Sequence, residues 1–258
     1  MDTPPQARLC DSISLAGLAL CQDPVDCIPW LRSRKMLKFM GKQDRLAVAA
    51  ACQAAAQADL DPGALEQAGL YLVSGHIPFE KDDMLPLAEH STEQGVFSME
   101  RFSSDGLDQV NPLLTFRCLP NMPIFHVSLN LGIRGPSMTS FPGLGQFYQV
   151  LEQALWALQE GQIELAIVGA VADQNNFLVD YHRQRRSHPP GQDVAGFLCL
   201  RKGPGLARLH EFSIAYDGQV ASPSPWGPAE LIHQLSQQQW SHRAHTPDGL
   251  TVACRWQP

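Results

Sequence analysis

Between Arg134 and Asp173 the chain reads RGPSMTSFPGLGQFYQVLEQALWALQEGQIELAIVGAVAD, a layout suited to presenting a nucleophile. Pro136 to Phe141 is short and extended, and Pro142, Gly143 and Gly145 force a tight change of direction. A helix follows, because Phe147, Val150, Leu151, Ala154, Leu155 and Leu158 lay one apolar stripe along successive turns at the helical period. Gly161 ends it. Ile163 to Val171 is then almost continuously apolar, as for a strand covered on both faces of a largely parallel sheet. The residue at the turn of such a strand, elbow, helix, strand unit sits over a helix N-terminus, whose free N–H groups and dipole favour a thiolate or an oxyanion. Here that residue is Leu144, and its side chain is chemically inert.

Other reactive residue types offer little more. Cys118 has no activating base marked nearby, and a buried thiol is the default. His126 reads as a packed, hydrogen-bonded residue rather than a catalyst. His242 and His245, three apart, would share a face on a helix and could ligate a metal there, but they read as a surface pair. Seven cysteines, an odd number without a CxxC pair, give no zinc spacing and suit a reducing cytoplasm. The lone GLG beside Pro142 is too little for a phosphate loop, so no metal and no cofactor is expected.

The formal net charge of -7 disfavours a broad nucleic-acid surface, which needs clustered Lys and Arg. The basic cluster Arg183, Arg185 and Arg186 reads as part of a solvated polar loop, with an acidic partner surface as the sharper alternative. The strongly apolar runs are too short for a membrane span, and MDTPPQARLCD is no signal peptide, so a cytoplasmic location is expected.

The elements that must hold the elbow are legible around it. A strand is expected near Ser12 to Ala19, and a helix from Leu46 to Ala58, nearly all alanine and thin enough for close packing. GALEQAG reads as a turn of helix and LYLVSG as a buried strand. Residues 77 to 110 read as loop-rich, a surface insertion or lid. Met122 to Leu131 reads as a buried helix or extended piece. VAGFLCLRK and LARLHEFSIAY read as strands joined at Gly203-Pro204-Gly205, and the tail offers a helix in PAELIHQLSQQQW and a strand in GLTVACRW. The alternation implies an α/β sheet with helices on both faces.

NPLLTFRCLPNMPIFHVSLNLGIRGPS, the elbow and ALQEGQIELAIVGAVAD together resemble the β-ketoacyl synthases of the thiolase fold, in the half that carries their active-site cysteine. KQDRLAVAAACQAAAQADL resembles that family's first long helix, and DVAGFLCLRK the strand closing the half, so the likeness covers roughly residues 10 to 215. The resemblance implies one thiolase-like half, a mixed, mostly parallel five-stranded sheet with helices on both faces, over residues 1–220, with a short helix and strand extension over 221–258. It places Leu144 where the catalytic cysteine would stand, and the family's two histidines belong to a second half that this sequence lacks. The implied role is a non-catalytic chain length factor, similar to the half-sized factor of bacterial aryl polyene biosynthesis. Its implied partners are a catalytic ketosynthase, in a heterodimer, and an acyl carrier protein bearing the growing chain. By the same resemblance Ser137, Met138, Thr139, Ser140 and Phe141 would form a strand ladder with the partner, and Phe116, Leu119, Met122 and Phe125 would reach its acyl tunnel. An autonomous acyl-thioester hydrolase or decarboxylase using another residue, and a self-contained structural or ligand-binding protein, stay open beside it.

Overall fold

The structure, a computed structural model, describes residues 12–76, 80–141 and 145–258. The N-terminal stretch read for a signal peptide and the elbow residues Pro142, Gly143 and Leu144 lie outside the described residues.

In chain order the elements are β1 (Ile13–Gln22), α1 (Lys42–Gln57), α2 (Pro62–Glu66), β2 (Gly69–Ser74), α3 (Lys81–His90), β3 (Thr92–Glu93), β4 (Val96–Phe97), α4 (Met99–Arg101), α5 (Leu114–Arg117) and α6 (Met122–Leu131). They continue with β5 (Ser137–Ser140), α7 (Gln146–Gln159), β6 (Leu165–Ala172), α8 (Phe177–Arg185), β7 (Val194–Lys202), β8 (Ala207–Tyr216), α9 (Glu230–Ser236), β9 (Ser241–His245) and β10 (Leu250–Gln257).

One sheet runs β5-β2-β6-β7-β1-β8-β10-β9. β2 is parallel to both β5 and β6, whereas β7 is antiparallel to β6 and to β1. Four of the five strands β5, β2, β6, β7 and β1 therefore share a direction, which is the mixed, mostly parallel layer expected. The sheet itself is larger than five strands. β8 pairs antiparallel with β1, and the tail strands β10 and β9 extend it in antiparallel fashion to eight.

β6 shows why its sequence is apolar throughout. Ala166, Val168 and Ala170 face one core with α7, while Leu165, Ile167 and Val171 face the other with α1, so the period-two alternation of a strand meets apolar neighbours on both sides. On the first side α7 inserts its stripe, including the fully buried Phe147, Leu151, Leu155 and Leu158, and Leu231, Ile232 and Leu235 of α9 share that core. Each such side chain contributes about 1.5–3 kcal/mol over its exposed state. On the second side the alanines of α1 permit unusual proximity to β1: a Cβ at Gly17 would lie 2.5 Å from the carbonyl oxygen of Ala54. Glycine at that position and alanine on the helix are two halves of one close contact.

The structure decides between some expectations and corrects others. The Gly203-Pro204-Gly205 segment joins β7 to β8 as expected, but the two strands are not neighbours in the sheet: β1 lies between them, and the Leu206 N–H donates to the Leu15 carbonyl at 2.7 Å. Residues 80–110 carry more structure than a loop: α3 holds Pro86 in its interior and is followed by the β3–β4 hairpin. Met122 to Leu131 is helical, ended by Gly132 in the left-handed conformation. Arg183 and Arg185 belong to α8 rather than to a loop, and β9 has no counterpart in the sequence reading.

Candidate functional site

β5 is the outermost strand of its side of the sheet. It pairs with β2 from Leu70↔Ser137 to Val73↔Ser140, and its other edge has no strand partner among the described residues. Ser137, Met138 and Thr139 are exposed, and Phe141 just beyond is exposed as well. A free strand edge with apolar side chains is a template for pairing with another chain. The strand leads directly to the elbow, across which the Ser140 hydroxyl donates to Oε1 of Gln146, the first residue of α7. The histidine ring of His76, at the end of β2, meets Phe141 edge to face at 6.2 Å.

The second group of sequence candidates divides. Phe116, Leu119 and Phe125 are 44%, 47% and 46% exposed, while Met122 is only 8% exposed and faces inward from the start of α6. Phe125 and Leu129, one turn apart, form the outer apolar face of that helix, and Val127, His126 and Asn130 form its inner one. Phe116 on α5 packs edge to face on Phe39 at 5.7 Å. Exposed apolar side chains thus occur on α5, on α6 and on β5.

His126 is fully buried, and burial pushes its imidazole down to about 4 against the opposing pull of the Phe39 carbonyl. It is a neutral packing residue at physiological pH. Among the described residues, the cysteines with a resolved shift are all held in the thiol form. Burial raises Cys118 and Cys27, and it pushes Cys21 to about 11 and Cys52 and Cys199 to about 12.

A charged cluster that the sequence did not single out pins α1 to the ends of the central strands. Lys42 Nζ lies 3.2 Å from Asp173 and 3.1 Å from Asp193, both buried carboxylates. The second oxygen of Asp193 accepts the backbone N–H groups of Gln174 and Asn175 at 2.7 and 2.8 Å. Burial works to raise Asp193, but those N–H groups and the ammonium of Lys42 outweigh it and hold the carboxyl below its usual range. Burial pushes Asp173 the other way, up to about 6, with Lys42 opposing and Asp193 adding to the rise. The three residues lie far apart in sequence, so no local spacing announces them.

The histidine pair is separated, not a surface feature. His242 is buried, its Nε2 2.8 Å from the Tyr148 hydroxyl and its Nδ1 2.7 Å from Oε1 of Gln234. Because that amide oxygen can only accept, Nδ1 carries the proton and Nε2 accepts from the tyrosine. His245, on the opposite side of β9, bonds the Thr251 hydroxyl at 2.8 Å. Three positions apart on a strand means opposite faces, which ends any metal pairing. Arg183 also departs from the solvated reading: it is 9% exposed and donates to Oε1 of Gln174 and to the Pro189 carbonyl. Among the described residues no group of His, Cys, Asp or Glu is arranged to hold a metal, and no helix is long and apolar enough to cross a membrane.

The fold is similar to solved ketosynthase structures. One, a type II PKS acyl-carrier protein in complex with its ketosynthase bound to the hexaketide, matches with a TM-score of 0.71 at 11% identity, over 95% of this chain and 99% of that one. The ishigamide ketosynthase/chain length factor matches at 0.60 and 15% identity, over 82% of this chain and 65% of that one. A β-ketoacyl synthase from Burkholderia phymatum matches at 0.58 and 13%, over 89% and 70%. No curated protein sequence matches this chain. The family profile "Beta-ketoacyl synthase, N-terminal domain" matches residues 21–179, well over half the chain. The strand, elbow, helix, strand unit, its companion β2 and the long alanine helix all fall inside that span, and the chain belongs to the β-ketoacyl synthase family through its N-terminal domain.

Proposed function

We propose that this chain is a non-catalytic subunit that pairs with a catalytic β-ketoacyl synthase and shapes the acyl tunnel of that partner, as a chain length factor does. The observation that carries the reading is the edge of β5 without a strand partner among the described residues, with Met138 exposed on it and Phe141 exposed just beyond; Phe116, Leu119, Phe125 and Leu129 are further exposed apolar side chains. A catalytic subunit would need a nucleophile at the elbow, and the sequence has Leu144 there. The described cysteines with shifted pKa values are all raised, which disfavours an alternative thiolate. A solved relative in fold is named a ketosynthase/chain length factor, which supports the same class of role.

In this reading the partner's own edge strand completes a ladder with Ser137 to Phe141, and an acyl carrier protein brings the growing chain. Phe116, Leu119 and Phe125 then contribute bulk at the far end of the tunnel, while the buried Met122 supports them from below. The pathway this reading favours is polyketide assembly of the aryl polyene kind, the one the sequence resemblance implies.

The test is co-expression with the ketosynthase encoded nearest to this gene, purification through a tag on one subunit, and mass analysis of the complex. A one-to-one complex with malonyl-dependent elongation only when both chains are present is expected. A chain that purifies as a stable species and ignores the ketosynthase overturns the proposal.

A further inference from the structure

A cleft of about 260 Å³ opens at the C-terminal ends of β2 and β6. Its apolar lining comes from Val73, Ala172 and Val179 and from three prolines, Pro223, Pro228 and Pro247. Its polar lining includes Ser74, Asp173, Arg183 and Arg186.

Two features single it out. Ser74 Oγ and Asp173 Oδ2 are buried and have no hydrogen-bond partner, although both residues line the cleft. Native interiors satisfy nearly all such atoms, so two orphans beside one cleft mark polar groups short of a partner. The wall opposite is fixed in place. The Gln174 side-chain amide donates to the carbonyls of Gln192 at 2.7 Å and Pro225 at 3.0 Å, while its oxygen accepts from Arg183. Gly191 closes the arrangement, since a Cβ there would stand 2.5 Å from Nη2 of Arg183. A wall held this way is organised before any ligand arrives.

The charges indicate the sign of the ligand. Lys42 is balanced by Asp173 and Asp193, and Arg183 is near Asp180, but Arg186 is exposed at the rim and forms no ion pair among the described residues. The mainly apolar lining disfavours a phosphate, which calls for several cations or a nest of backbone N–H groups.

We infer that this cleft binds a small monocarboxylate with an apolar body: Arg186 pairs with the carboxylate, Ser74 supplies a hydrogen bond to it, and the body lies against Val73, Val179 and the prolines. The inference does not rest on pairing with a synthase and would stand if that failed.

The experiment is titration of the full chain with benzoate and, separately, with inorganic phosphate, followed by calorimetry or ligand-detected NMR. Saturable benzoate binding is expected, with phosphate weaker. Arg186→Ala should weaken benzoate binding about tenfold, the scale of one charge-assisted pair, and Val179→Trp should abolish it by filling the cleft. Arg186 is exposed, so its variant decides the matter alone if Val179→Trp disturbs folding. Absence of saturation, phosphate binding as tightly as benzoate, or benzoate binding unchanged by Arg186→Ala overturns the inference.

Discussion

The Tyr148 and His242 rings stack with centroids 5.6 Å apart and share a 2.8 Å hydrogen bond, although one lies on α7 and the other on β9. Gln234 of α9 completes the set from the other ring nitrogen. Three elements are thereby joined through one buried imidazole, and two of them belong to the tail. His242→Phe keeps the ring stack but strands the tyrosine hydroxyl and the amide oxygen. A loss of about 2 kcal/mol in chemical unfolding is expected, from a buried hydroxyl and a half-buried amide oxygen left without partners. An unfolding midpoint equal to that of the wild type would show that the network carries no stability.

The same residue sets a pH dependence. Burial lowers His242 from 6.5 to about 4, so the unfolded chain takes up its proton first and acid favours unfolding. The stability it contributes is complete above pH 6.5 and is lost as pH falls towards 4, by about 3 kcal/mol in all. Asp173 and Asp44, raised from 3.8 to about 6 and about 7 by burial, act oppositely, their contribution being complete below 3.8 and lost as pH rises through the folded values. The readout is therefore the difference between wild type and His242→Phe in denaturant titrations from pH 7 to pH 4. That difference should shrink with falling pH, and a constant difference would contradict the assignment.

Lys42→Met removes the cation that bridges Asp173 and Asp193. Two buried carboxylates then face each other without a countercharge, Asp193 keeping only its two backbone N–H donors, and a cost of about 3 kcal/mol is expected. Adding Asp173→Asn should recover part of it, because an amide carries no charge to repel Asp193. Thermal unfolding of the single and double variants distinguishes charge from packing; equal losses in both would mean that repulsion is not the cause.

Met138→Asp and Phe125→Asp replace exposed apolar groups, so each should leave the stability of the chain within about 0.5 kcal/mol. In one-tag co-purification with a ketosynthase, both should sharply reduce the recovered partner, since a charge buried at an interface centre is costly. Retention of full pairing by both variants would move the interface away from β5 and α6. Where pairing survives in the milder Phe125→Ala, elongation products longer than those of the wild type are expected, read by mass spectrometry.

Local order was legible from the residues. The stripe on α7, the apolar run of β6, the alanine helix α1 and the short strand β5 are short-range patterns, and each formed close to where its periodicity placed it. That Leu144 stands where the resemblance expects a nucleophile is likewise read from the sequence alone. What the chain does across long separations was decided only by folding. β1 is inserted between β7 and β8, because edge pairing depends on which apolar faces meet and not on the turn at Gly203. His242 and Arg183, polar by type and expected at the surface, are buried because distant residues supply their hydrogen bonds. Met122 turns inward while Phe125 stays outside, since the packing of α6 against α1 chooses the face that helical spacing leaves undecided.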